Sequence, residues 1–123
     1  RDNRTTGLRI PISSSHDLRI ENRVGGMDCN PYLGIAASLA CGLLGIKKKL
    51  KPREELKGEA YTMPRALPHG IIEGLEIFNE APELETVLGK SFCSIYKSLK
   101  RHEAESFSQV ISPWEREHLL LNV

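Results

Sequence analysis

"LRIENRVGGMDCNPYL", residues 18–33, joins two patterns within one short run. Its first half reads as a β-strand, in which successive side chains alternate between two faces. Arg19, Glu21 and Arg23 then share one face, while Leu18, Ile20 and Val24 share the other. Its second half reaches Asn30-Pro31, a capping residue followed by proline at a first helical position, which predicts a helix start. A strand with one charged face, followed closely by an apolar helix, predicts an α+β structure.

The segment before it supplies a partner strand. "TTGLRIPI" alternates, with Leu8, Ile10 and Ile12 on one side and Gly7 and Arg9 on the other. The polar "SSSHD" between the two runs predicts a turn, so the first 24 residues read as a hairpin. After Asn30 the pattern is helix and loop. "PYLGIAASLACGLLGI", residues 31–46, is apolar almost throughout and is followed by "KKKLK". It falls short of the roughly 20 apolar residues that span a bilayer, so it predicts a buried core helix and no membrane partner. Its glycines and alanines remove bulk for a close-packed neighbour, and the lysines complement the dipole at its C-terminus.

Residues 51–67, punctuated by Pro52, Gly58 and Pro64, read as a long loop. "PHGIIEGLEIFNEA" predicts a helix burying Ile71, Ile72, Leu75 and Phe78. "PELETVLG" is a short helix started by Pro82 and ended by Gly89. A long helix carries Phe92, Ile95, Tyr96, Leu99, Phe107 and Val110 at roughly helical spacing, interrupted by Glu103. "SPWE" is a capping box, Ser112 with Glu115, before the terminal "REHLLLNV".

A hairpin of two strands is marginal in water. The expectation is therefore that residues 1–123 are the C-terminal part of a longer protein that supplies the rest of an antiparallel sheet. The formal net charge of +1 and the 40% hydrophobic content argue against a polybasic nucleic-acid binder. Cys29, Cys41 and Cys93 form no CxxC pair, and reduced thiols in the cytoplasm are the simplest reading. The opening "RDNRTTGLRI" is charged and does not read as a secretory leader.

Antiparallel pairing brings Arg9 toward the row of Arg19, Glu21 and Arg23. Arg4 precedes the first strand and has the wrong parity to join Arg9 if that strand is regular. Two readings stand at this point. One is a solvated sheet face on which flanking arginines satisfy Glu21. The other is an anion site, since guanidinium forks suit phosphate and carboxylate, and a carboxylate among them can hold a metal that accompanies phosphate.

The wording of the run separates them. "NRTTGLRIP…RIENRVGGMDCNPYL" resembles the C-terminal catalytic segment of the glutamine synthetase family, with its N-R-S/T-x-x-x-R-I/V-P, R-I/V-E-x-R and N-P-Y-L elements. The resemblance is dense over residues 3–46 and holds in layout beyond them. It implies an enzyme that uses ATP and Mg2+ (or Mn2+) to phosphorylate the glutamate γ-carboxylate and couple it to ammonia or an amine. By this resemblance Glu21 matches a metal-binding glutamate on the nucleotide-associated metal, and Arg23 a contact to the glutamate substrate. Arg4 matches an arginine that stabilises the transferring phosphoryl group, and Arg9 and Arg19 match nucleotide contacts. It further implies a large homo-oligomeric ring for the full-length parent and inactivity of this segment alone.

The turn "PISSSHDLR" is shorter than in the bacterial ammonia-using members. His16 is either a turn residue or a nucleotide contact. Tyr61 lies near an adenylylated tyrosine of certain members, but its surroundings are only partly kept, which favours an ordinary loop residue. His69, His102 and His118 have no ligand spacing, and Tyr96 and Trp114 read as core or interface residues. "RIENRVGGMDCNPYL" and "WEREHLLLNV" resemble the amine-ligating branch, giving γ-glutamylamides, more than the ammonia-using enzyme. A non-catalytic structural or assembly module on the same fold is the competing function.

Overall fold

The computed structural model describes residues 3–64 and 66–121. Residues 1, 2 and 65 and the last two residues of the terminal segment lie outside the described residues. The chain divides into two units, the first ending at Ala66 and the second beginning at Leu67. Its content is mixed α and β, as the pattern predicts.

The first unit holds a minimal hairpin and one long helix. Strand β1 is Leu8–Arg9 and strand β2 is Glu21–Asn22, antiparallel, with Leu8 opposite Asn22 and Arg9 opposite Glu21. One further backbone bond, from the Arg23 N–H to the Gly7 carbonyl at 2.8 Å, continues the pairing. Approach is close there: a Cβ on Gly7 would stand 2.9 Å from Val24 Cγ2. The hairpin is thus present but its strands are far shorter than alternation predicts. Pro11 has no N–H for a ladder, which halts pairing after β1. Residues 15–17 form a single turn of 3-10 helix in the connection. The apolar residues of the predicted rows, Leu8, Ile10, Ile12, Leu18, Ile20 and Val24, are all exposed, and of them only Leu8 lies within a strand.

Helix α1, Pro31–Lys47, starts where expected. The Asn30 side-chain oxygen accepts from the Tyr32 and Leu33 amides at 3.0 and 3.2 Å, satisfying two of the four orphan donors of a helix start. Its other expectation needs correction: within this chain α1 is not a buried core helix. Ala40 alone on it is buried, while Tyr32, Ile35, Leu39, Leu43 and Ile46 are exposed. An all-round apolar helix with one partner face covered leaves the rest open. No helix among the described residues is long and apolar enough to cross a membrane.

The second unit packs helices against one another. Helices α2 (Ile71–Asn79) and α3 (Pro82–Leu88) both contact α4 (Lys90–Ser108). Leu75 and Cys93 are buried, and Tyr96 stacks on Phe92 and meets Phe78 edge-on at 6.1 Å. Lys97 Nζ reaches Glu85 at 3.1 Å and lies 4.9 Å from the Phe78 ring centre, linking α4 to both shorter helices. The predicted stripe of α2 is half correct. Leu75 is buried and Phe78 partly so, but Ile71 and Ile72 are exposed. On α4 the fully buried side chain is Cys93, a small apolar residue that the stripe of larger side chains left out. Ile95, Leu99 and Phe107 are exposed, and Val110 lies past the helix end. Helix α5, Pro113–His118, carries the expected capping box, with Ser112 and Glu115 bonding each other's backbone amides. Trp114 is exposed and stacks on His118 at 4.7 Å, so it is not core in this chain.

Candidate functional site

Glu21 is the centre of the charged face. Register places it opposite Arg9, and Arg9 Nε donates to its Oε2 at 2.8 Å. Arg19, two residues away on the same face, donates to Oε1 at 3.4 Å. Side-chain exposure ranks the two pairs: Arg9 is 17% exposed and Arg19 56%. The better-shielded, shorter bond is the stronger, because water screens the other. The Arg9 hydrogen bond holds the Glu21 carboxyl below the usual glutamate range, with the charges of Arg9 and Arg19 adding to it. Among the described contacts, two guanidiniums thus share the one carboxylate of Glu21.

Arg23 does not reach Glu21 among the described contacts. Its Nη1 donates instead to the Arg4 backbone carbonyl. This brings Arg4 to the cluster by its main chain. The parity objection to Arg4 does not apply, since residues 4–7 form a turn and bend rather than a strand. The Arg4 side chain is exposed and makes no hydrogen bond or ion pair among the described residues. Asn22, on the opposite face from Glu21, donates to Ser38 Oγ at 2.9 Å and fastens β2 to α1.

Asn3, which precedes the first strand with Arg4 and opens the run "NRTTGLRIP", organises the approach to Arg4 together with Thr5. Asn3 Oδ1 accepts from the Thr5 amide at 2.9 Å and from Thr5 Oγ1 at 2.6 Å. Asn3 Nδ2 donates to the Gly58 carbonyl at 2.6 Å, and Thr5 Oγ1 accepts from the Ala60 amide at 2.8 Å. The local Asx turn is visible in the spelling "NRT"; its partners 55 residues away are not.

A metal needs more than this chain supplies. Among the described residues no group of three His, Cys, Asp or Glu side chains can hold a metal ion. Both Glu21 oxygens already accept from arginines. Glu21 is thus at most one ligand of a site completed from elsewhere. His16 sits in the 3-10 turn and is exposed, as is Tyr61 in a second such turn, residues 60–62. A concavity of about 360 Å³ lies on the Asn22 side, lined by Asn22, Cys29, Gly34, Ile35, Ser38 and Leu39. It is a mostly apolar hollow between β2 and α1, away from the charged face. The cysteines are free thiols, Cys29 and Cys41 exposed and Cys93 buried.

Comparison with known proteins adds the family context. Residues 1–119 match the family model described as glutamine synthetase, catalytic domain. The chain is 38% identical over 123 residues to the gamma-glutamylputrescine synthetase of Escherichia coli, covering 98% of this chain and 26% of that one. It is 37% identical over 118 residues to a glutamate–isopropylamine ligase of a Pseudomonas species, covering 93% and 26%. To the glutamine synthetase of Methanocaldococcus jannaschii it is 31% identical over 122 residues, covering 92% and 27%. The chain therefore spans about a quarter of the length of these relatives.

Proposed function

Because the chain belongs to the family of glutamine synthetase catalytic domains, we propose that it is the C-terminal part of an ATP-dependent ligase. The whole protein phosphorylates the glutamate γ-carboxylate and joins it to ammonia or an amine. A carboxylate is a poor electrophile until its oxygen leaves as phosphate, which is the purpose of the ATP. The observation that carries this reading is the pairing of Arg9 and Arg19 on Glu21, with the backbone of Arg4 fastened beside it.

In this reading Arg4 stabilises the charge that builds on the transferring phosphoryl group, a task suited to a cation held in advance. Arg9 and Arg19 face the nucleotide. Arg23 contacts the glutamate substrate; a guanidinium has five N–H donors, so its bond to the Arg4 carbonyl leaves others for a ligand. Glu21 is one ligand of a Mg2+ or Mn2+ ion whose remaining ligands come from the rest of the longer protein. The full-length protein is a large homo-oligomeric ring, and this segment alone is inactive.

The nucleophile is an organic amine. Relatives named for amine ligation match at 35% to 38% identity, against 28% to 34% for relatives named glutamine synthetase. Turnover of the full-length protein with ATP and glutamate, given ammonia or putrescine, is the test. The amine is expected to support the faster reaction. Equal rates would sink the amine assignment, and no turnover with either would sink the ligase in favour of a non-catalytic module. Ligation by residues 1–123 alone would refute the claim that the segment is incomplete.

A further inference from the structure

We propose that Asn3 and Thr5 are positioning residues for Arg4, fastening the chain on both sides of it to the loop at residues 58–60. The proposal rests on the reading of Arg4 as the cation that meets the transferring phosphoryl group. Every residue around Arg4 is held by something remote. Asn3 is held by the Gly58 carbonyl at 2.6 Å, Thr5 by the Ala60 amide at 2.8 Å, and Arg4's own carbonyl by Arg23. Asn3 and Thr5 also bond each other twice, at 2.6 and 2.9 Å, so the two anchors act as one brace. The guanidinium they carry is exposed and makes no bond among the described residues.

The chemistry of the brace is specific. The Thr5 hydroxyl has one proton and two lone pairs, and it uses both capacities: it donates to Asn3 and accepts from Ala60. Serine preserves this and alanine abolishes it. The Asn3 amide accepts twice and donates once, so neither aspartate nor alanine reproduces it. Gly58, the acceptor, has φ +105°, a conformation that favours glycine and turns its carbonyl where Asn3 meets it. Arg4 is a long side chain whose aim depends on its backbone. A displacement of about 1 Å at a reacting centre costs about 100-fold in rate. The loop at residues 58–60 thereby sets where the Arg4 charge stands, through the Gly58 carbonyl and the Ala60 amide.

The test is a double-mutant cycle in the full-length protein with ATP, glutamate and putrescine. Thr5→Ala is expected to lower kcat about 10- to 100-fold while KM for ATP and glutamate moves less than about threefold. Thr5→Ser should stay within about threefold of the parent. In an Arg4→Ala background, Thr5→Ala should change kcat by less than about threefold, because its effect passes through Arg4. An equal loss in both backgrounds, or no recovery with serine, would overturn the positioning role. Arg4→Ala with unchanged kcat would instead overturn the role of Arg4, a separate and recognisable failure. If Thr5→Ala does not fold, Asn3→Ala taken through the same cycle decides between the same outcomes.

Discussion

Glu21 stands between two guanidiniums that differ in distance and in exposure, and that difference orders their effects. Its depressed pKa means that the contribution of these pairs to stability is fully present above the unfolded carboxyl's pKa. It is lost as pH falls through the lower, folded value. Carboxyl-carbon NMR of Glu21 should show a midpoint below the usual glutamate range. Arg9→Ala should move it upward more than Arg19→Ala does, since Arg9 lies at 2.8 Å and Arg19 at 3.4 Å. A midpoint indifferent to Arg9→Ala would contradict the assigned cause. This pairing was legible in the sequence, because parity on two antiparallel strands brings Arg9 and Glu21 together. The bond from Arg23 to the Arg4 carbonyl was not, since alternation carries no information about a side chain that reaches a neighbouring turn's backbone.

At the scale of elements, what reads correctly is chemistry acting within a few residues. Asn30 with Pro31, Ser112 with Glu115, and Pro82 with Gly89 bound their helices as expected. What reads poorly is strand length and helix burial, which depend on what lies alongside. β1 and β2 shrink because a two-stranded ladder with Pro11 in it offers few bonds. Ile71 and Ile72 lie on the predicted apolar stripe of α2 yet stay exposed, because only part of that stripe meets α4. Gly89 shows how sharply a joint can be specified: it ends α3 and precedes α4 with φ 90° and ψ 137°. No Cβ would clash there, but the backbone itself disfavours one. Gly89→Ala should destabilise the protein by about 1–3 kcal/mol in urea unfolding. A cost near zero would mean the joint relaxes freely.

For the molecule as a whole, the apolar rows of the hairpin and most of α1 remain uncovered. A fully buried side chain of that size contributes about 1.5–3 kcal/mol, so much of the expected stabilisation is unrealised within this chain. Covering surfaces are long-range facts, and periodicity identifies the face without identifying its partner. The brace from Asn3 and Thr5 to residues 58–60 has the same long-range character, with a consequence for timing. Joining ends 55 residues apart costs about 3.5 kcal/mol in loop-closure entropy, whereas two neutral hydrogen bonds return about 1–3 kcal/mol. The brace cannot nucleate folding. It closes only after the hairpin and α1 have shortened the path between its ends. In pulse-labelled hydrogen exchange during refolding, the Ala60 amide should gain protection after the interior amides of α1; simultaneous or earlier protection would refute this order. Arg4 then reaches its station only after the hairpin and α1 have formed.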